Sequence, residues 1–271
     1  MPETTSNVIT LMTDFGLQDP YVGVMKGVIL NINPKVQLVD LTHAIPPQDI
    51  RSAAFQLAHC FRYFPRGTLH MVIVDPGVGT DRRPLLMSCE THWFLAPDNG
   101  VLSWIEKYEP VLSVFAVTAS HYFLPDPSHT FHGRDIFAPI AGWFTRGVGP
   151  EMLGERTEHY QRIEIPTPRI EGNRVYGAVL HVDRFGNLVT NLDREGLREA
   201  RGSSGSHRIE VQIGGRPLGS FSRTFAEGPD GGPFALIGSY GTIEVVVKGG
   251  SAAAVLGVGI GAEVCATFVA S

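Results

Sequence analysis

Leu69-His70-Met71-Val72-Ile73-Val74 runs directly into Asp75-Pro76-Gly77-Val78-Gly79-Thr80. The first six residues are apolar and β-branched, the pattern of a buried strand. The run stops at an acid and enters a turn of the kind that a Pro-Gly pair and a second glycine permit. In open α/β sheets, ligands gather at the carboxyl ends of parallel strands. Asp75 is therefore either a turn-capping aspartate or an active-site acid, and both readings place it at the end of a parallel-sheet strand.

Working outward, strand-like and helix-like segments alternate over the first 150 residues. Val8 to Met12 is a short apolar run ending at Thr13-Asp14-Phe15-Gly16, and Tyr21 to Ile32 has apolar residues at helical intervals. Val36 to Leu41 returns to a strand pattern, and Asp49 to Phe61 reads as a helix with Asp49 as its N-cap. Leu85 to Cys89 and His92 to Ala96 follow as strands, the latter entering Ala96-Pro97-Asp98-Asn99-Gly100. Such alternation predicts βαβ units and a mainly parallel sheet, an α/β fold. Asp14, Asp75 and Asp98 would then share one sheet edge. Near Ile163 to Pro168, two prolines mark a linker, dividing an N-terminal domain (1–165) from a C-terminal one (166–271). Beyond it the only helical pattern is Arg194 to Arg201. Short β-rich runs at Val175 to Val182, Ile209 to Ile213, Thr242 to Val247 and Val264 to Val269, with about half of the 31 glycines, fit a small all-β barrel-like domain. Arg201 to His207 reads as a flexible loop.

The 271 residues carry 27 acidic and 22 basic side chains, a net charge of −5, which leaves no electrostatic footprint for nucleic acid or an anionic membrane. No apolar run approaches the ~20 residues of a membrane helix, and the N-terminal residues lack a signal-peptide pattern. Cys60, Cys89 and Cys265 have no metal spacing and read as buried free thiols in a reducing cytoplasm. Asp14-Phe15-Gly16 spells a kinase tripeptide without the other kinase motifs. The glycines of 257–261 have no βαβ unit after them. His129 and His132 lack a third metal ligand.

Two further segments stand out. Thr130-Phe131-His132-Gly133-Arg134-Asp135 opens the apolar helix Ile136 to Phe144, where His132 and Asp135 are either helix caps or ligand contacts. His181-Val182-Asp183-Arg184-Phe185-Gly186-Asn187 is a strand end running into a turn. Together with Thr13 to Gly16, Tyr21 to Gly27, Val74 to Thr80, Ala96 to Gly100 and Thr190-Asn191, in that chain order, they resemble the S-adenosylmethionine hydroxide adenosyltransferase family, relatives of the bacterial fluorinase and chlorinase.

That resemblance implies an N-terminal α/β domain, a β-barrel-like C-terminal domain, and a homotrimer with substrate between domains of neighbouring subunits. It implies conversion of S-adenosylmethionine and water to adenosine and methionine, S-adenosylmethionine being substrate, with no separate cofactor and no metal. Asp75, Arg82 and His132 correspond to the family's Asp-Arg-His set, Arg82 by spacing, although Arg83 is adjacent. Asp14 resembles the acid that holds the ribose. Asp183 and Ser239 resemble contacts to the methionine end, and Asn187 the adenine contact. Phe131 and Gly133 flank His132 as further substrate contacts. Tyr240 stands where the fluorinase has an arginine, so its contact with the methionine carboxylate is open.

The halogenating relatives have a tyrosine at the position of Asp75, and the fluorinase has Tyr-Ser at His132-Gly133. A carboxylate would repel halide, whereas water needs acceptors, so these residues favour hydrolysis. The expectation is that His132 and Asp75 accept the water's protons while Arg82 keeps Asp75 charged. Polarisation of the water by Arg82 is the alternative. An adenosyl-halide synthase and a non-catalytic adenosine or S-adenosylmethionine sensor are the competing functions.

Overall fold

The computed structural model describes residues 6–202 and 207–270. The chain divides into two compact units, Met1–Ile165 and Pro166–Ser271.

The first unit is built on seven strands: β1 (Val8–Thr13), β2 (Gln37–Thr42), β3 (Leu69–Ile73), β4 (Pro84–Cys89), β5 (Trp93–Pro97), β6 (Val111–Val117) and β7 (Gly154–Arg156). Their spatial order is β2-β1-β3-β5-β4-β6-β7. Strands β2, β1, β3 and β5 are parallel, and β4, β6 and β7 extend the sheet antiparallel. The parallel run ends at β5 because Glu90-Thr91 turns β4 straight back onto it, a connection too short for a crossover helix. Since β1, β3 and β5 are adjacent and parallel, the segments holding Asp14, Asp75 and Asp98 follow strand ends on one edge.

Helix α1 (Tyr21–Ile32) has the boundaries its periodicity predicts. Helix α2 (Ile50–Cys60) starts at Asp49, whose carboxylate accepts the Ser52 N–H at 2.9 Å. Helices α3 (Ala138–Thr145) and α4 (Pro150–Leu153) close the unit. One core joins Met25 and Ile29 of α1 and Ile140 and Phe144 of α3 to alternate residues of the sheet, among them Leu11, Leu69 and Met71. The helix expected from Ile136 begins differently: Gly133–Phe137 form a π-helical turn that runs into α3. Such turns recur at functional sites.

The second unit is antiparallel. It contains β8 (Arg169–Glu171), β9 (Arg174–Val182), β10 (Leu188–Asp193), α5 (Arg194–Arg201), β11 (His207–Ile213), β12 (Arg216–Pro217), β13 (Pro233–Ile237), β14 (Thr242–Val247), α6 (Ala252–Leu256) and β15 (Glu263–Ala270). The main strand order is β12-β11-β15-β9-β10-β14-β13, with β8 paired to β9. Among the described residues β12 and β13 remain as ends, so the sheet is a half-barrel and not a closed barrel. Bulges in β10 against both of its neighbours provide local bending. Of the loop expected over 201–207, residues 203–206 lie outside the described residues. The three cysteines are free. Cys89 is buried, but Cys60 and Cys265 are only partly so.

Candidate active site

The edge formed by the ends of β1 and β3 opens into a cavity of about 290 Å³, lined by Asp14, Phe15, Asp75, Phe131, His132 and Gly133 among others. Each charged group is positioned by its local backbone. Thr13, the last residue of β1, accepts the Phe15 N–H on its hydroxyl at 3.2 Å, and that hydroxyl is 2.9 Å from His43 Nδ1. Asp14 Oδ2 accepts the Gln48 N–H at 2.7 Å. Gln48 itself has φ +65°, an uncommon conformation for a non-glycine residue and one that concentrates at ligand sites.

The turn after β3 uses the backbone and the side chain of Asp75 differently. Its backbone carbonyl accepts the Val78 N–H at 3.2 Å, a turn role, but its side chain is turned elsewhere. Arg82 Nε donates to both carboxylate oxygens, at 2.9 and 2.8 Å, and Arg82 Nη2 pairs with Oδ2. Both side chains are almost wholly buried, at 9% and 5% exposure for Arg82 and Asp75. Gly79 closes the turn at φ +80°, with space for a Cβ blocked by the His129 carbonyl oxygen 2.5 Å away.

Arg82 Nη2 also donates to His132 Nδ1 at 2.8 Å. A guanidinium has no acceptor, so Nδ1 is the accepting nitrogen and the proton of the neutral ring lies on Nε2. Burial, and after it the Arg82 charge, hold the His132 ring below the ordinary imidazole range. In that state His132 has no free lone pair with which to take a proton from water. It offers an N–H instead, which departs from the expectation that it serves as a base.

The remaining acids separate by role. Arg83 turns away from Asp75 and binds Asp98, with Nη2 2.7 Å from Oδ2, while Asp98 Oδ1 accepts the Gln161 N–H at 2.6 Å. Asp98 thus ties the 157–163 segment to the sheet and is not in the cavity. Asn99 donates to the Val74 carbonyl at 2.8 Å and pins the end of β3. Asp135 accepts the Ser128 N–H at 2.8 Å and pairs with Arg134. Phe15, Tyr21 and Phe131 form an edge-to-face triangle, with centroids 5.1–6.0 Å apart, that makes one wall apolar. Gly133 leaves that wall little slack: a Cβ there would meet Met25 Sδ at 3.0 Å and Phe131 at 3.3 Å. Among the described residues no group of three or more His, Cys, Asp or Glu side chains is arranged to hold a metal.

The second unit brings Asp183 and Asn187 together. Asp183 Oδ1 accepts the Phe185 and Asn187 N–H groups, each at 2.9 Å, and Oδ2 accepts the Asn187 amide at 2.8 Å. Among the described residues, no donor bonds the Asn187 amide oxygen. Asn187 lines a cleft of about 380 Å³ with two exposed rings, Phe185 and Phe225. Neither ring was singled out from sequence. Ser239 and Tyr240 occupy the four-residue turn between β13 and β14, closed by Gly241 at φ +78°.

Two family descriptions match the chain: the S-adenosylmethionine hydroxide adenosyltransferase N-terminal domain over residues 9–154 and the C-terminal domain over residues 177–265. The chain belongs to the S-adenosylmethionine hydroxide adenosyltransferase family. Within curated proteins, an "(R)-S-adenosyl-L-methionine hydrolase" from Thermus thermophilus is 39% identical over 92% of this chain and 95% of its own length. A "Fluorinase" from Nocardia brasiliensis is more distant, 26% identical over 92% and 94%. Among solved structures, an uncharacterised conserved protein from Thermotoga maritima superposes with a TM-score of 0.89 at 34% identity, covering 96% of this chain and 99% of that one. Arg82 bonds to both Asp75 and His132, so the three residues that the sequence resemblance grouped form one cluster in the first unit.

Proposed function

We propose that this chain is an S-adenosyl-L-methionine hydrolase, producing adenosine and L-methionine by attack of water at ribose C5′. The observation that supports this most directly is the buried Asp75–Arg82–His132 cluster, which faces a cavity that also receives Asp14, in a chain whose relatives include curated hydrolases. The sulfonium leaves as a neutral thioether, so no acid is needed to protonate it. What the reaction needs is alignment of water oxygen, C5′ and sulfur, with reacting atoms roughly 3–3.5 Å apart. Asp14 holds the ribose, and Phe15 and Phe131 exclude bulk water without solvating the sulfur, whose positive charge is lost toward the transition state.

One water proton passes to Asp75 as the C5′–O bond forms and the C5′–S bond breaks. His132 orients the water through its N–H, and Arg82 holds both groups in place. Asn187, with Phe185 and Phe225 on either side, receives the adenine base. Asp183, Ser239 and Tyr240 take the methionine end. The reaction so drawn consumes S-adenosylmethionine as substrate and involves no resident cofactor. Three free thiols suit a reducing cytoplasm. A homotrimer completes the proposal. Its support is the exposed face of α1, where Tyr21, Val24 and Leu30 are solvent-facing beside Gly23 and Gly27.

The names of the relatives specify the (R) epimer at sulfur, and the same preference is proposed here. Fixing both the ribose and the amino acid would leave the S-methyl only one orientation for each epimer. Incubation with each epimer, with and without chloride, tests the reading. Adenosine formed faster from the (R) epimer is expected. A halogenated nucleoside would identify a halide synthase, and bound but unconverted substrate a sensor.

A further inference from the structure

His43 does not line the cavity, yet it grips the Thr13 to Gly16 turn that presents Asp14 and Phe15 there. The grip starts from register. Leu11 of β1 lies opposite Asp40 of β2, but Met12 lies opposite Thr42, so one extra residue on β2 carries His43 level with Thr13. The His43 carbonyl accepts the Gly16 N–H at 2.7 Å, and its ring Nδ1 lies 2.9 Å from the Thr13 hydroxyl. That hydroxyl oxygen also accepts the Phe15 N–H at 3.2 Å. Thr13 is wholly buried and His43 is 5% exposed, so these bonds are made in a low-dielectric setting where they are strong.

The far side of the ring sets its proton. His43 Nε2 lies 3.0 Å from Asp40 Oδ1, off the line of a full hydrogen bond, and has no other partner among the described residues. Asp40 Oδ2 in turn accepts from Lys26 Nζ of α1 at 2.6 Å. A carboxylate accepts and does not donate, so it favours the tautomer with the proton on Nε2. Nδ1 then has a lone pair for the Thr13 O–H, while the Thr13 oxygen accepts from Phe15. Every donor from Phe15 to His43 points the same way, from the cavity toward the partly exposed Lys26–Asp40 pair.

We propose that His43 is a positioning residue for the ribose: with Asp40 and Lys26 behind it, it fixes Thr13 and the Gly16 backbone so that Asp14 meets the ribose hydroxyls in one geometry. This rests on the hydrolase reading above, with Asp14 as the ribose contact. The Asp14 carboxylate itself is tethered through Oδ2 to the Gln48 N–H, and Oδ1 bonds no other described residue.

Binding of adenosine and of 2′,3′-dideoxyadenosine to the full chain separates this role from a structural one, because only adenosine has hydroxyls for Asp14. Wild type should prefer adenosine. Thr13→Val and His43→Leu should each cut that preference about tenfold, the scale of one charge-assisted contact, and leave dideoxyadenosine affinity unchanged. His43→Asn, whose Oδ1 stands in for Nδ1, should keep it. In an Asp14→Ala background the preference is already gone, and Thr13→Val should change it no further. An undiminished preference in Thr13→Val and His43→Leu overturns the assignment. So does an equal loss for both nucleosides, which would make His43 structural, and so does an additive loss on top of Asp14→Ala. If His43→Leu does not fold, Thr13→Val and Asp40→Asn, at a side chain 40% exposed, decide between the same outcomes. A wild type that prefers adenosine but does not turn over S-adenosylmethionine sinks the hydrolase reading alone. A wild type with no preference removes the ribose role of Asp14, and this proposal with it.

Discussion

Arg82 Nη2 donates to His132 Nδ1 at 2.8 Å, and that one bond decides what the imidazole can do. Protonating Nδ1 would set a second N–H against the guanidinium. The folded-state pKa is held below the ordinary value of 6.5 by burial first and the Arg82 charge second. The sign follows: stability from the Arg82 contact is complete above the unfolded value and is lost as pH falls through the lowered folded value. Turnover should therefore hold steady above about pH 6.5 and drop on the acidic side. His132→Gln keeps an acceptor for Arg82 but cannot titrate, so its pH–rate profile should lack that limb. Retention of the limb would assign it to another group.

Asp75 faces a sharper test. Asp75→Asn preserves size and leaves Arg82 one oxygen, but removes the charge and the proton acceptor. Kcat should fall about 100-fold or more, the usual scale for loss of a general base, while KM should change little, because the proposed substrate contacts lie at other residues. Single-turnover kinetics separate the two effects. Near-normal turnover would return Asp75 to being a turn aspartate.

Gly133→Ser imitates the fluorinase residue in a site that lacks the rest of the halide machinery. Its Cβ would press on Met25 Sδ at 3.0 Å and Phe131 at 3.3 Å, and overpacking of this kind costs roughly 1–3 kcal/mol. Slower hydrolysis with no halogenated nucleoside is expected, because Asp75 still repels the anion. Chromatography of products formed in chloride or fluoride checks it, and appearance of a halogenated product would mean that Gly133, not Asp75, selects the nucleophile.

The outline of the site was legible because its acids lie where strands end, and β-branched runs stopping at Asp14 and Asp75 mark those ends. Helix α1 was equally legible, since its periodicity is uninterrupted. Strands β6, β10 and β13 were not marked out individually. They lie among glycines, turns and apolar neighbours that blur a period of two. Choosing Arg82 over Arg83 needed either a family pattern or coordinates, because adjacent arginines differ only in which way the chain points them. The tautomer of His132 is a property of a contact 50 residues away in sequence. Phe185 and Phe225 gave no signal either, because exposed phenylalanines are ordinary until a cleft joins them.

Those two rings carry the next prediction. Phe185 is 76% exposed and Phe225 48%, both flanking Asn187. Base stacking on an aromatic ring contributes about 1–3 kcal/mol. Phe185→Ala and Phe225→Ala should each weaken adenosine by about tenfold with little loss of thermal stability. Calorimetric titration reads the first, a melting curve the second, and wild-type adenosine affinity in both variants would move the base elsewhere.

Helix α1 allows a test in which two explanations predict opposite signs. Gly27 is exposed in the single chain, and a Cβ there would meet nothing within 4 Å. Glycine in a helix interior costs about 1 kcal/mol relative to alanine. If that face meets only water, Gly27→Ala must stabilise the protein and leave its mass in solution unchanged. If the face packs against another copy, as the proposed trimer requires, the added methyl opposes close approach of the helices. Light scattering should then show a shift toward smaller species at low protein concentration, with a melting temperature that becomes concentration-dependent. Gly27→Leu should separate the copies outright. The trimer predicts loss of assembly together with a more helix-prone monomer, a combination that simple misfolding does not produce.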